Sequence, residues 1–448
     1  MARLANLQFE QFSRETVNDA RLCLLDAIGC GLYGSTVLDG KKIISAISVL
    51  SAGDLPVWGS NVLLSRSDAA LACGSLCHLR ELDDVHYSIV HPGAVVVPAV
   101  YAAAFGREYS LKNLLAAIIC GYEAMVRISE GSGYLTHRQK GWHATATMGG
   151  FGAAAACGKL LELEEQEFVW ALGLAGSRTG GTWAFKADGS MSKRIHPGLA
   201  ARDGLAAAFL AQAGISGPEY VLEAEDGGFY HVACEDWDLT ELGRDWGKTW
   251  AISEVEFKWY AACKSVHSPL EASLQIAALG HRTEDIDFIN VGINSSAMSM
   301  AGGMYTHDSV ASAQLSIPYG VALGLSGRGG LAQDFENDAI ADENLFRLAQ
   351  KVRVAVSPKM EEIRLTLHKS AAHVDVVYKN GSHAEAEVHD AKGHIGNPLS
   401  ETVIIDKFLG LASCAVGKQK AESICKLIIH GELQTPVDDI FHCLSLNR

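Results

Sequence analysis

Three short stretches of this 448-residue chain place titratable side chains beside turn formers. The densest, KADGSMSKRIHPGLAARD from Lys186 to Asp203, sets Lys193, Arg194 and His196 between Gly189-Ser190 and Pro197-Gly198. Two cations and an imidazole at such a bend can grip a carboxylate, and the turn residues predict a rigid, bent segment just ahead of an Ala-rich helix. A solvated basic turn capping that helix explains the same residues without a ligand. The second stretch, ELDDVHYSIVHPG, gathers Glu81, Asp83, Asp84, His86 and His91. Carboxylates and imidazoles serve as acid/base groups or as ligands for a divalent metal, although no HExxH or comparable spacing is present. A salt-bridged helix end is the plain structural alternative. The third, GWHATATMGGFGAAAACGKLL, puts His143 at the head of an apolar helix, where the dipole favours a neutral imidazole and a bound anion. A core-edge histidine tied to a backbone carbonyl is the alternative there. GGFGA is not a dinucleotide loop, because no strand precedes it and no acidic residue follows at the required distance.

The elements that must position these groups are mostly helices. Ser13 caps a predicted helix from Arg14 to Gly34, a second apolar run spans Lys41 to Leu50, and further helices are expected over Ser67 to Leu82, Pro98 to Phe105, Leu111 to Ser129, Phe168 to Gly180 and Ala200 to Ala213. After Trp250 the pattern changes. ISEVEFKWY from Ile252 reads as a strand, as do Asp287 to Asn294 and Glu361 to Leu367. His373 to Tyr378 and His383 to Val388 flank Asn380-Gly381, a two-residue hairpin signal. His267 to Leu279 and Ser312 to Leu325, with Pro318 inside the latter, read as helices. The text turns helical again after Leu399. The expected fold is mainly α: a large all-helical domain, discontinuous in sequence (1–250 and 401–448), with a smaller inserted α+β lid (251–400), and a ligand groove between them.

Composition narrows the function classes. A formal net charge of −15 argues against a nucleic-acid or anionic-membrane surface, so an anionic ligand must be held by a local cluster of cations. The 11 cysteines form no CxxC pair and sit mostly among Ala, Leu and Ile, which suggests buried small hydrophobes in a reducing compartment. No secretory signal and no membrane-length apolar run are visible, so the expected location is cytoplasmic, with a mitochondrial one left open.

In order along the chain, ELDD with HPGAVVVPA, GWHATATMGGFGAAAACGKLL, DGSMSKRIHPGLAARDGLAAAFLAQAGISGP, EFKWYAACKSVHSPLEA and QLSIPYGVALGLSG resemble the MmgE/PrpD family. That family includes 2-methylcitrate dehydratases, cis-aconitate decarboxylases and iminodisuccinate epimerases. The resemblance implies a helical domain with a smaller lid, usually a homodimer, and no organic cofactor or metal. It implies that His91, His143, Lys193 and Lys258 are catalytic, and it makes Glu81, Asp84, Arg194, His196, Cys263 and His267 the expected substrate contacts. The family's decarboxylase branch has Asp where Glu81 stands and Thr where Val85 stands, and aligns His with Cys263 and Tyr with Met298. The implied activity is α-proton chemistry on a di- or tricarboxylate, 2-methylcitrate dehydratase-like first, with epimerase-like and decarboxylase-like alternatives. Outside that class stand a metal-dependent hydrolase using Asp83, Asp84, His86 and His91, and a catalytically silent polycarboxylate binder.

Overall fold

The computed structural model describes residues 1–306, 309–367 and 369–446, and the chain is mainly helical. Its first long helix, Arg14–Thr36, starts where the sequence places it: Ser13 Oγ accepts the Thr16 N–H at 3.0 Å. Ser65, Ser110 and Ser400 cap Arg66–His78, Leu111–Gly131 and Glu401–Val416 in the same way. Such caps supply acceptors for the N–H groups that a helix start leaves unpaired.

Helices Arg66–His78, Ala144–Leu160 and Ser192–Gln212 pack closely because their facing residues are Gly and Ala. Gly198 shows how closely. A Cβ added there would run into the Leu71 carbonyl and the Ser75 hydroxyl, and one on Gly74 would stand 2.8 Å from Gly198 Cα. One continuous core joins these helices to Leu399, Ile404, Phe408 and Ile424 near the end of the chain. Helix Glu401–Val416 lies along Arg14–Thr36, with Phe408 against Gly29 and Lys407 Nζ 2.7 Å from Asp26.

A second core gathers Tyr260 to Ala391, together with Cys30 and Leu82 from the first part of the chain. It is built on a four-stranded sheet in the order Val352–Val356, Ile286–Ile293, Ala372–Tyr378, His383–Val388. The first pair is parallel and the other two are antiparallel. The Asn380-Gly381 hairpin forms as expected, with Gly381 at φ 83°.

Several expectations change. ISEVEFKWY is no strand: Ala251–Glu254 forms a short 3-10 turn, and a single bridge pairs Val85 with Glu256. With no neighbouring strand the period-two pattern is lost, and Ile252, Val255 and Lys258, three residues apart, turn into the interior. Glu361 to Leu367 belongs to helix Pro358–Leu367, where Met360 and Ile363 turn inward three residues apart and Leu365 and Leu367 stay exposed. Ser312 to Leu325 splits into Val310–Gln314 and Ile317–Leu325, with Pro318 in the first turn of the second. The predicted basic bend is itself helical, since Ser192–Gln212 already contains Lys193, Arg194, His196 and Pro197. All cysteines except Cys414 and Cys443 are buried, and none is paired. Among the described residues no single helix is long and apolar enough to cross a membrane.

Gly198→Ala should therefore lower stability by about 3 kcal/mol, by overpacking a contact that has no slack. Gly410→Ala, on an exposed helical position with open space around it, should raise stability by about 0.5–1 kcal/mol. Urea unfolding followed by far-UV circular dichroism measures both; equal midpoints would contradict the packing described here.

Candidate active site

Helix Arg66–His78 ends short of Glu81, which has a φ of 53°. That left-handed conformation costs a residue with a Cβ ~1–2 kcal/mol. Here it brings the Glu81 carboxylate against three cations. Lys193 Nζ and Arg194 Nη1 both donate to Oε1, and Lys258 Nζ donates to Oε2 at 3.0 Å. All four side chains are buried; Glu81 has no exposed surface. Burial alone would raise the Glu81 pKa, but Lys193, Lys258 and Arg194 outweigh it and hold the group well below the usual range. The two lysines differ. Burial, with the neighbouring Arg194 charge added to it, moves Lys193 down despite Glu81, whereas for Lys258 burial is outweighed by Glu81 and Asp83 and the group moves up. Three cations on one carboxylate leave a positive surplus in a desolvated place, which a bound anion would relieve.

The imidazoles lie beside this cluster. His91 Nδ1 is 2.8 Å from the Asp84 carbonyl, which can only accept. Nδ1 therefore carries the proton, and the neutral ring keeps its lone pair on Nε2. His143 ends its own loop as the N-cap of Ala144–Leu160, its backbone N–H donating to the Gly181 carbonyl at 2.9 Å. Burial first, then Lys258 for His91 and Lys193 for His143, lowers both pKa values well below the ordinary histidine range. Between them sits His78, 4.7 Å from the His91 ring and 6.0 Å from the His143 ring, its Nδ1 donating to Asp83 at 2.8 Å.

Lys193, Lys258, Glu81, His91 and His143 all face one cavity of about 250 Å³. Residues from the later part of the chain form its opposite wall: Lys264 paired with Glu256, Arg364 paired with Glu361, Lys369 paired with Asp390, and Met300 and Leu365 as apolar surface. Four helices begin at this place: Gly93–Ala104 just after His91, Ala144–Leu160 after His143, Ser192–Gln212 at Lys193 and Lys264–Ala277 after Cys263. Each presents the positive end of its dipole, so the backbone adds to the lysines in favouring an anion.

The residues singled out in the sequence divide into two groups. His91, His143, Lys193, Lys258, Glu81 and Cys263 line the cavity. Asp84 instead accepts from Tyr122 Oη at 2.6 Å and the Gly93 N–H at 2.9 Å, anchoring the start of the next helix. Arg194 is turned behind the cavity, towards Glu81 and Gln314 Oε1, the latter at 2.9 Å. His267 points its Nε2 at the Ala262 carbonyl and stacks on His394. His196 stands behind His143, with the two Nδ1 atoms 3.0 Å apart. The metal set named from the sequence is not assembled, because Asp84 is engaged elsewhere and His86 Nδ1 is 2.8 Å from Ser88 Oγ. Among the described residues the atoms that do converge, within 4.8 Å of one another, belong to His78, Asp83 and His91. Sequence reading missed His78, Lys264, Arg364 and Lys369. His78 was hidden among apolar residues at the end of a core helix, and Arg364 lay in a stretch read as a strand. Of the four positions expected from the resemblance to differ from the decarboxylase pattern, Glu81, Val85 and Cys263 face the cavity, while Met298 leaves the wall to Ala297 and Met300.

The N-terminal domain model of the MmgE/PrpD family matches residues 2–242, and its C-terminal domain model matches residues 260–430. The chain belongs to the MmgE/PrpD family. Its relatives within the family include a cis-aconitate decarboxylase from Aspergillus terreus, 27% identical over 467 residues, covering 98% of this chain and 94% of that protein. The cis-aconitate decarboxylase of Homo sapiens is 26% identical over 439 residues, covering 94% of this chain and 89% of its own. That of Mus musculus is 24% identical over 445 residues, with 96% and 88% covered.

Two outcomes follow for this MmgE/PrpD chain. Glu81→Gln leaves three buried cations without their counter-ion and should destabilise the protein by about 3–5 kcal/mol, part of which added citrate restores; an unchanged melting temperature would refute the counter-ion role. Asp84 titrates the other way. Burial raises its pKa to about 7, so the stability it contributes is full below its unfolded range near pH 4 and is lost as the pH rises through about 7. Between pH 5 and pH 8 the melting temperature of Asp84→Asn should gain on that of the wild type.

Proposed function

We propose that the protein is a lyase that moves a proton at a carbon next to a carboxylate of a di- or tricarboxylate. The observation that carries this reading is the uncompensated charge at the cavity floor: Lys193, Arg194 and Lys258 share the single carboxylate of Glu81 beside two neutral imidazoles. With the ionised Asp83 as a second buried carboxylate acting on Lys258, one substrate carboxylate resting on Lys193 and Lys258 completes the charge balance. As electron density builds on that carboxylate in the transition state, the fixed ammonium groups stabilise it in a site shielded from water. His91 offers a lone pair at Nε2 and His143 faces the same cavity, so one ring accepts a proton while the other delivers one.

Within the lyases, decarboxylation of a cis-aconitate-like substrate is the first chemistry to assign, on the names and near full-length coverage of the relatives. The leaving carboxylate departs as carbon dioxide, its electron pair shifts into the substrate's carbon skeleton, and a ring proton ends on carbon. Dehydration of a 2-methylcitrate-like substrate is the second reading. It uses the same groups, and the apolar wall of Ile89, Leu135, Met300 and Leu365 has room for an alkyl arm. In this proposal residues 251–400 act as a lid, closing Lys264, Arg364 and Lys369 over a cavity whose floor belongs to the helical part formed by 1–250 and 401–448. A cytoplasmic homodimer is part of the same reading.

Proton NMR in heavy water with cis-aconitate, 2-methylcitrate, citrate and iminodisuccinate tests it. The expected result is loss of carbon dioxide from cis-aconitate with one deuterium placed on carbon, reduced at least ~10²-fold in Lys193→Ala. An alkene formed from 2-methylcitrate would move the assignment to the dehydratase reading, and exchange without net reaction to an isomerase. Turnover and deuterium exchange absent from all four substrates would overturn the proposal.

A further inference from the structure

His143 faces two ways. Its ring lines the cavity, and its Nδ1 lies 3.0 Å from His196 Nδ1. His196 lines a separate cleft of about 280 Å³, bordered by Arg178, Thr179, Gly180, Gly181 and Asp203, and that cleft shares no lining residue with the cavity. His143 is 1% exposed, whereas His196 is half-buried. The wall of the cleft is built for close approach. Gly181 has a φ of 128°, a Cβ there would collide with Ala146 and stand 3.5 Å from His196 Nδ1, and the Gly181 carbonyl holds the His143 backbone. One proton fits between two Nδ1 atoms at this distance, since two lone pairs or two N–H groups would repel. The pair is therefore a donor and an acceptor whose roles can exchange.

We propose that His196 is the outer half of a two-histidine proton relay connecting the cavity to the solvent in the Gly180-Gly181 cleft. The inference rests on the lyase reading and extends it, because decarboxylation consumes one solvent proton per turnover while the substrate itself fills the cavity. In the delivery direction His143 Nε2–H passes its proton to the substrate carbon, His196 Nδ1–H passes its proton to His143 Nδ1, and water in the cleft protonates His196 Nε2. Both rings begin and end neutral with their tautomers exchanged, and the reverse passage through the emptied cavity restores them. Groups of both signs face the pair: His78, His91 and Lys193 on the cavity side, Arg178, Arg202 and Asp203 on the cleft side. Burial holds His196 down at about 4, so at neutral pH it transmits a proton and does not store one.

His196→Gln keeps a hydrogen-bonding group towards His143 but cannot carry a proton through. With the substrate that the wild type turns over, this variant should lose at least ~10-fold in kcat, keep its KM within about two-fold, and regain rate as imidazole is added to fill the cleft. An unchanged kcat, or a loss that imidazole does not restore, overturns the relay. A second measurement needs no turnover and separates this proposal from the lyase reading. In protein labelled with ¹⁵N-histidine, one solvent-protected Nδ1–H resonance should be present in the wild type and absent from both His196→Phe and His143→Phe. If no such proton is found, the relay fails whatever reaction the enzyme performs; if it is found and no substrate reacts, the lyase reading alone fails.

Discussion

The Glu81 carboxylate is the contact on which the site depends. It ties together cations that reach it from separate parts of the sequence: Lys193 and Arg194 from a core helix of the first part, and Lys258 from the segment that leads into the sheet. An ion cluster without solvent gains little net stability, since desolvation offsets much of the attraction. Its value lies in position. Removing any member leaves the others charged and dry, so the lysine ammonium groups can occupy only a narrow range of places. The left-handed backbone at Glu81 is held against its own preference by that same cluster.

Around this contact the chain repeats one device. Gly93–Ala104, Ser192–Gln212 and Lys264–Ala277 each start at the cavity and each carry a proline at the sixth residue, Pro98, Pro197 and Pro269. Proline there removes one hydrogen bond from the second residue of the helix and stiffens the opening turns. Anion-favouring helix starts are thus paired with fixed side chains that act on the same charge.

Much of the helical architecture is legible in the sequence because its signals are local. Ser13 as a cap, the small-residue faces of the core helices and Asn380-Gly381 as a turn all report on their own neighbourhood. What fails depends on distant partners. The alternation in ISEVEFKWY is real, but no strand is available to pair with it. Arg194, Asp84 and His267 carry the right chemistry in the right stretches, yet helix phase for Arg194 and His267 and the donors Tyr122 and Gly93 for Asp84 turn them away from the cavity, and no spacing rule reports such distant partners. His78 is the converse case: one imidazole at the end of an apolar helix reads as core until Asp83 is seen bonded to it.

The Gly and Ala contacts among the core helices have a further consequence for how such a protein diversifies. Lys193 and His143 ride on backbones that touch with no side-chain cushion, so a single added methyl moves a whole helix and with it these cavity-lining groups. The opposite wall is different. Leu365, Lys369 and Met300 come from a short helix, a loop and another short helix, where a change of size displaces only itself. Variation that survives selection should therefore accumulate on that wall, reshaping the cavity while Lys193 and His143 stay where they are.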